Sequence, residues 1–231
     1  MIDVCRRELK YLVSLRDVVS LKKRLSEVIA EDSHNGENGY LVRSLYFDSL
    51  HDSDFEEKVD GYDNRQKVRL RVYDFDSQTA KLELKEKEGN SQRKRSLLLN
   101  REEAEYMIKG EYEFLLERSE KIAQWLYTFL VTKCYRPKCV VEYDRFAYCE
   151  SVNDIRITFD ANLRATESCS DLFDKNLILY PVSRTEEVTM EVKYNGFLYT
   201  YIKNVISQTA KMPVSNSKYV RARMVSKKGR K

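Results

Sequence analysis

Turn-forming residues are scarce in this 231-residue chain, which holds three prolines and seven singly scattered glycines. No Pro-, Gly- or Ser-rich linker divides it, so a single domain over residues 1–231 with one sizeable core is expected. Histidine is limited to His34 and His51, both in loop-like stretches where solvated surface roles are expected. Cys5, Cys134, Cys139, Cys149 and Cys169 are odd in number, lack CxxC spacing and sit mostly in strand-like segments. Buried free thiols in a reducing compartment are expected in place of a disulfide framework. There is no GxxxxGK[ST] loop, no GxGxxG and no glycine-rich turn to cradle a phosphate with backbone amides, so any phosphate site must be built from side chains. The stretch MIDVCRRELKYLV has no apolar run with a cleavage site, and nothing approaches the roughly 18 apolar residues of a membrane span. A soluble, cytoplasmic protein is expected.

What the chain has is charge. Charged residues make up 34% of it, yet 41 Lys+Arg against 37 Asp+Glu leave a formal balance of only +4. Any electropositive function must come from local arrangement and not from bulk charge. Alternating stretches predict strands near residues 6–13, 40–48, 65–75, 80–88, 92–99, 138–149, 154–164 and 186–194, mostly antiparallel. Ser14 with Asp17 three residues on resembles a capping box, and Val18, Leu21, Leu25, Val28 and Ile29 recur at helical spacing, predicting a helix over 15–30. Further helices are expected over 52–59, 101–132 and 197–209, with a short one after Ser217. The basic end from Lys227 to Lys231 reads as a frayed terminus. The 16 tyrosines and nine phenylalanines suit packing better than base stacking.

Each strand carries one apolar and one charged face. The charged sets are Glu8 with Lys10, Arg69 with Arg71, Glu83 with Lys85, Arg93 with Arg95, Tyr143 with Arg145, Arg156 with Asp160, and Glu191 with Lys193. An antiparallel sheet normally turns such a face to water. Here the pattern recurs in many strands, arginine leads, and the inserted helices need the apolar faces as partners. Helices outside a closed or nearly closed barrel satisfy all three, with the charged faces lining the interior. Charges so placed cost several kcal/mol each unless water, counter-charges or a polyanion meets them.

The ordered motifs R-x-E-x-K-Y (Arg6–Tyr11), S-L-Y-F-D (Ser44–Asp48), V-R-L-R-V-Y (Val68–Tyr73), L-E-L-K (Leu82–Lys85), V-E-Y-D-R (Val141–Arg145), R-I-T-F-D (Arg156–Asp160), E-V-K (Glu191–Lys193) and S-K-Y (Ser217–Tyr219) run nearly end to end. Together they resemble the polyphosphate polymerase domain of the vacuolar transporter chaperone (VTC) family, a branch of the triphosphate tunnel metalloenzymes. The resemblance implies an α+β fold: an eight-stranded antiparallel β-barrel tunnel with helices packed outside. It places Lys10, Arg69, Arg71, Lys85, Arg145, Arg156 and Lys218 on catalytic, phosphate-binding positions and Glu191 on the metal-binding glutamate. Arg93 and Arg95, which share a face, are expected to point inward in preference to Lys94, and Lys193 joins the phosphate set. Glu8 and Glu83 are further candidates for Mn²⁺ or Mg²⁺, with salt bridging as their other reading, and Asp160 is expected as an arginine's partner.

The implied activity is transfer of the γ-phosphoryl group of ATP to a growing inorganic polyphosphate chain. Such transfer needs charge stabilisation and in-line positioning more than a general base. In this chain Arg6 replaces the first acid of the wider superfamily's E-x-E-x-K, which leaves Glu8 as the motif's one carboxylate. That weakens a two-metal hydrolytic reading, although a triphosphatase acting on nucleotide or inorganic triphosphate stays open. So does a non-catalytic polyphosphate- or nucleic-acid-binding module, against which Glu83 and Glu191 on the cationic side speak; no nucleic-acid partner is expected. Eukaryotic members of the family carry an N-terminal inositol-phosphate-sensing domain and a membrane segment; neither is expected within these 231 residues, and a separate membrane partner would suit a soluble catalytic domain.

Overall fold

The protein, seen in a computed structural model, is described at residues 6–89, 91–209 and 212–228. Its elements are β1 (Arg6–Ser14), α1 (Leu15–Leu25), β2 (Ala30–Glu31), β3 (Tyr40–Asp48), α2 (Ser53–Val59), β4 (Arg65–Val72), β5 (Thr79–Glu88), β6 (Ser91–Asn100), α3 (Arg101–Lys109), α4 (Phe114–Glu117), α5 (Lys121–Thr132), β7 (Arg136–Glu150), β8 (Ile155–Thr166), β9 (Tyr180–Pro181), β10 (Glu187–Asn195), α6 (Thr200–Ser207) and α7 (Lys218–Lys228). The class is α+β, and every strand pairing whose register is given runs antiparallel. The eight long strands are the eight expected. The chain divides into two compact units, one of Met1–Leu41, Tyr143–Leu163 and Ser183–Ser217, the other of Val42–Glu142, Arg164–Val182 and Lys218–Lys231.

In the first unit the strand order is β1-β10-β8-β7. The register sets Leu9 beside Val192, Tyr11 beside Met190 and Val13 beside Val188, while Ile157 and Phe159 of β8 join Val192 and Met190. This apolar face takes up Val18, Leu21 and Leu25 of α1 and Ile202 and Ile206 of α6. α1 starts where expected because Ser14 accepts from the Asp17 N–H at 3.1 Å and Asp17 accepts from the Ser14 N–H. It ends at Leu25, five residues earlier than the apolar spacing predicts.

In the second unit the order is β7-β3-β4-β5-β6. Leu45, Phe47, Val68, Leu70, Leu82, Leu84, Leu97 and Leu99 form the apolar face, against which α3, α4 and α5 pack through Met107, Leu115, Leu126 and Leu130. Burying each of these leucines is worth about 1.5–3 kcal/mol. The continuous helix expected over 101–132 is broken into three. Gly110 at φ +81 ends α3 in the left-handed region, where a side chain is strained. Arg43 lies on this apolar side, yet it is buried and satisfied: it donates to Glu142 at 2.5 Å and to the carbonyls of Leu172 and Asp174.

Two expectations about the cysteines and the C-terminus need correction. Cys139 is buried and Cys149 half-buried, but Cys134, in the turn after α5, and Cys169, in the irregular segment after β8, are exposed because they fall outside strands; Cys5 lies outside the described residues, and the four others are free thiols. Lys227 and Lys228 are the last residues of α7, and residues 229–231 lie outside the described residues. Among the described residues no helix is long and apolar enough to cross a membrane.

Candidate functional site

In the first unit, strand alternation places the charged side chains of β1, β10, β8 and β7 on the face opposite the core. Register pairs Glu8 with Lys193, Lys10 with Glu191 and Lys193 with Arg156. The Lys10 ammonium lies 3.1 Å from Glu8 and 3.6 Å from the buried Glu191, and it also donates to the Asn216 carbonyl at 3.2 Å. Lys193 sits 3.2 Å from the other Glu191 oxygen. Burial pushes the Lys193 ammonium down to about 8, against the pull of Glu191 and Glu8 and with the help of Arg145. Arg145 grips Asp160 through two bonds of 2.7 and 2.8 Å and reaches to 4.0 Å of Glu191. That two-pronged bond makes Asp160 the arginine partner expected of it, and the charge-assisted fork fixes the guanidinium plane. The backbone at Arg145 is approached so closely that a Cβ on Gly39, itself at φ +96, would come within 2.2 Å of the Arg145 carbonyl oxygen. Arg156 donates to Asp32 at 2.5 Å and to the Tyr40 hydroxyl at 2.9 Å. Asp32 also accepts from the exposed His34, so that imidazole stays a surface group with a structural contact.

In the second unit, Tyr46 is paired with Arg69, Arg69 with Glu83, and Lys67 with Lys85. Three cations converge on Glu83: Arg69 donates to it at 2.6 Å, Arg71 stands 3.7 Å away, and Lys94 makes a short ion pair with its second oxygen. Burial would raise the Glu83 carboxyl, but the two arginines and Lys94 outweigh it and bring it down to about 2. Glu83, expected to hold a metal or to bridge to arginines, meets three cations here. Lys67 lies 5.6 Å from the Tyr46 ring centre and 5.9 Å from that of Tyr219. Lys85 and Lys218 are half-buried in this unit, Lys218 opening α7 one residue before Tyr219. Asp48, also here, is turned to the backbone N–H groups of Asp54 and Phe55 and to the Tyr219 hydroxyl.

The expectation for Arg93 and Arg95 is corrected. Glu88 pairs with Ser91, and the ladder then sets Lys94 opposite Lys85 and Arg95 opposite Leu84. Arg95 accordingly lies on the helix side, 4.0 Å over the Trp125 ring and 3.6 Å from Glu86, and Arg93 is exposed. Lys94 takes the place on the charged face. Pairing of Glu88 with Ser91 fixes the register, so counting along β6 from that pair gives Lys94 its face. Tyr46, Lys67 and Asp32 were also missed; only the parity of Tyr46 with Ser44 hinted at its placement.

Metal fit can be judged in the first unit. The Lys10 ammonium bridges Glu8 and Glu191, so a cation already sits between two hard oxygen donors, the kind Mg²⁺ or Mn²⁺ takes together with substrate phosphates. Among the described residues no group of three or more His, Cys, Asp or Glu is arranged to hold a metal by itself.

A curled antiparallel sheet with helices on its apolar side and charged side chains on the other is a fold that several solved structures share. Solved structures with that fold include a Bacillus halodurans protein described as a candidate adenylate cyclase (12% identity, TM-score 0.52, covering 92% of this chain and 95% of that one). A Hippeastrum protein, described as a candidate adenylyl cyclase with a dominant triphosphatase activity, is similar at 12% identity and TM-score 0.53, covering 94% and 95%. A Vibrio parahaemolyticus candidate adenylate cyclase matches at 10% identity and TM-score 0.50, covering 94% and 96%. At such identities the likeness concerns the fold alone. The VTC domain model matches residues 5–227, and the chain belongs to the VTC domain family. No curated protein matches it.

Proposed function

We propose that the protein is a metal-dependent phosphotransferase that passes the γ-phosphoryl group of ATP to the end of an inorganic polyphosphate chain. The observation that carries this reading is the convergence of Arg69, Arg71 and Lys94 on the single carboxylate of Glu83, on a face where Lys67 and Lys85 add further positive charge. Such a face holds a polyanion through side chains, in a chain of the VTC family. In the reaction a terminal polyphosphate oxygen attacks the γ-phosphorus, the bond from that phosphorus to the β,γ-bridging oxygen breaks, and ADP leaves. The attacking oxygen is already anionic near neutral pH, so no proton must be removed from it. On the second unit's face Arg69, Arg71, Lys94, Lys85 and Lys218 would neutralise and orient phosphate oxygens; on the first unit's own face Lys10, Arg145, Arg156 and Lys193 are the residues suited to that role. Oriented arginine forks favour the in-line geometry and the charge that builds up in the transition state. Glu191 with Glu8 would hold Mn²⁺ or Mg²⁺, which would supply further charge neutralisation at phosphate oxygens.

A second reading is hydrolysis of nucleotide or inorganic triphosphate, favoured by the triphosphatase activity described for the Hippeastrum protein of like fold. Water in place of the polyphosphate end would make the same residues a triphosphatase. The two separate when the purified protein is incubated with ATP and Mn²⁺ or Mg²⁺ and ADP, free phosphate and long-chain polyphosphate are followed together. ADP with polyphosphate and little free phosphate supports the polymerase. ADP with an equal amount of free phosphate supports the triphosphatase, and no turnover despite triphosphate binding leaves a binding module.

A further inference from the structure

The Tyr46 side chain is 3% exposed and lies on the charged face of the second unit. Its ring stacks on Tyr219 of α7, with centroids 5.1 Å apart. Its oxygen accepts from Arg69 at 3.4 Å, and among the described residues no acceptor takes its own hydrogen. Tyr219 spends its hydroxyl on Asp48 at 2.6 Å, so the two stacked phenols are not equivalent. A buried donor without an acceptor costs about 1–3 kcal/mol, and an anion beside it would remove that cost. Lys67, Arg69 and Arg71 of β4 face the phenol, with Tyr219 from α7 and, behind Arg69, Glu83 from β5.

We propose that Tyr46 is a substrate-contacting residue whose hydroxyl donates its hydrogen to a non-bridging phosphate oxygen held by Arg69 and Arg71. This rests on the phosphate-binding reading of that face and adds to it a neutral donor among charged ones. The contact fails in alkali. Burial would raise the phenol, but Arg69, Lys67 and Arg71 outweigh it and bring it down to about 8. Above that pH the hydroxyl loses its hydrogen, and a negative oxygen then faces the anion.

Calorimetric binding of tripolyphosphate to the wild type and Tyr46→Phe, each at pH 7 and pH 9, tests it. At pH 7 the variant should bind about tenfold more weakly, the scale of one hydrogen bond to a charged group. At pH 9 the gap should close or reverse. Comparing the two proteins cancels the loss of charge on Lys193, which also occurs near pH 8. Equal affinities at pH 7, or an equal gap at both pH values, would overturn the proposal while the phosphate-binding reading survives. A wild type that binds at neither pH would overturn both. Should Tyr46→Phe fail to fold, the phenolate ultraviolet absorbance of the wild type decides: its titration near pH 8 must move upward when tripolyphosphate is added, and an unmoved midpoint rejects the contact.

Discussion

The two units carry charged faces of opposite temperament. In the first, cations and carboxylates interleave: Lys10 lies against Glu8 and Glu191, Lys193 against Glu191, Arg145 against Asp160, and Arg156 against Asp32. In the second, Arg69, Arg71 and Lys94 converge on Glu83, with Lys67 and Lys85 on the same face. A balanced face with lysine-held carboxylates offers oxygen donors, because an ammonium is a compact point charge that a divalent ion can displace. The arginine-rich face offers planar forks and surplus positive charge. The difference teaches that similar alternating strands can build a metal-suited surface or an anion-suited one, depending on which residues the register sets side by side.

The comparison is broken most forcefully by Arg69→Ala with Arg71→Ala. Removing two charge-assisted donors should weaken tripolyphosphate binding by about a hundredfold or more, read by calorimetry, and a loss below tenfold would deny the second unit its anion role. Glu191→Gln should act on the other face, cutting metal-dependent turnover at least about tenfold while triphosphate affinity stays within about threefold. A variant with unchanged turnover across a Mn²⁺ titration would remove Glu191 from the metal set.

A subtler contrast lies between two buried carboxylates of the second unit. Burial and the neighbouring Asp48 push the Asp54 carboxyl up to about 8, and among the described residues one of its oxygens has no hydrogen-bond partner. Glu83 is held at about 2. Because the folded state keeps the Asp54 proton that the unfolded chain gives up, Asp54 should make stability fall as pH rises from about 4 to 8, after which its effect is flat. Glu83 runs the other way: its contribution is present above about pH 4.5 and is lost as pH falls toward 2. Thermal unfolding of Asp54→Asn between pH 5 and 8 should show a flatter profile than the wild type, by on the order of 2 kcal/mol. An unchanged profile would return Asp54 to an ordinary carboxylate. The smallest effects should be equal in the two units. Ser14→Ala and Asn100→Ala each remove a capping box, the second holding the Glu103 N–H at 2.9 Å, and each should cost about 1 kcal/mol in denaturant unfolding. Caps that differ by more than about 1 kcal/mol would mean that the units differ in more than their charged faces.

Much of the molecule was legible because it is local. Strand alternation at 65–72 and 79–88 depends on neighbours two residues apart, and the Ser14–Asp17 cap on residues three apart. The helix break at Gly110 was also locally encoded but hidden, since the flanking segments are both helical and only the left-handed turn separates them. The candidate site was half legible. Alternation put Glu8 with Lys10 and Glu191 with Lys193 on shared faces, but the partner of Arg156 is Asp32, 124 positions away. No spacing rule reaches that far.

By itself the sequence determined the strand faces, the helix starts, the side-chain character of any phosphate site and the family, because each depends on residue order along one segment or on motifs in series. The tertiary structure alone decided that Lys94 and not Arg93 or Arg95 lies on the charged face, that Glu83 meets three cations, and that among the described residues no acceptor takes the Tyr46 hydrogen. Those outcomes follow from strand register and from contacts between distant segments, where a shift of one residue turns a side chain to the opposite face.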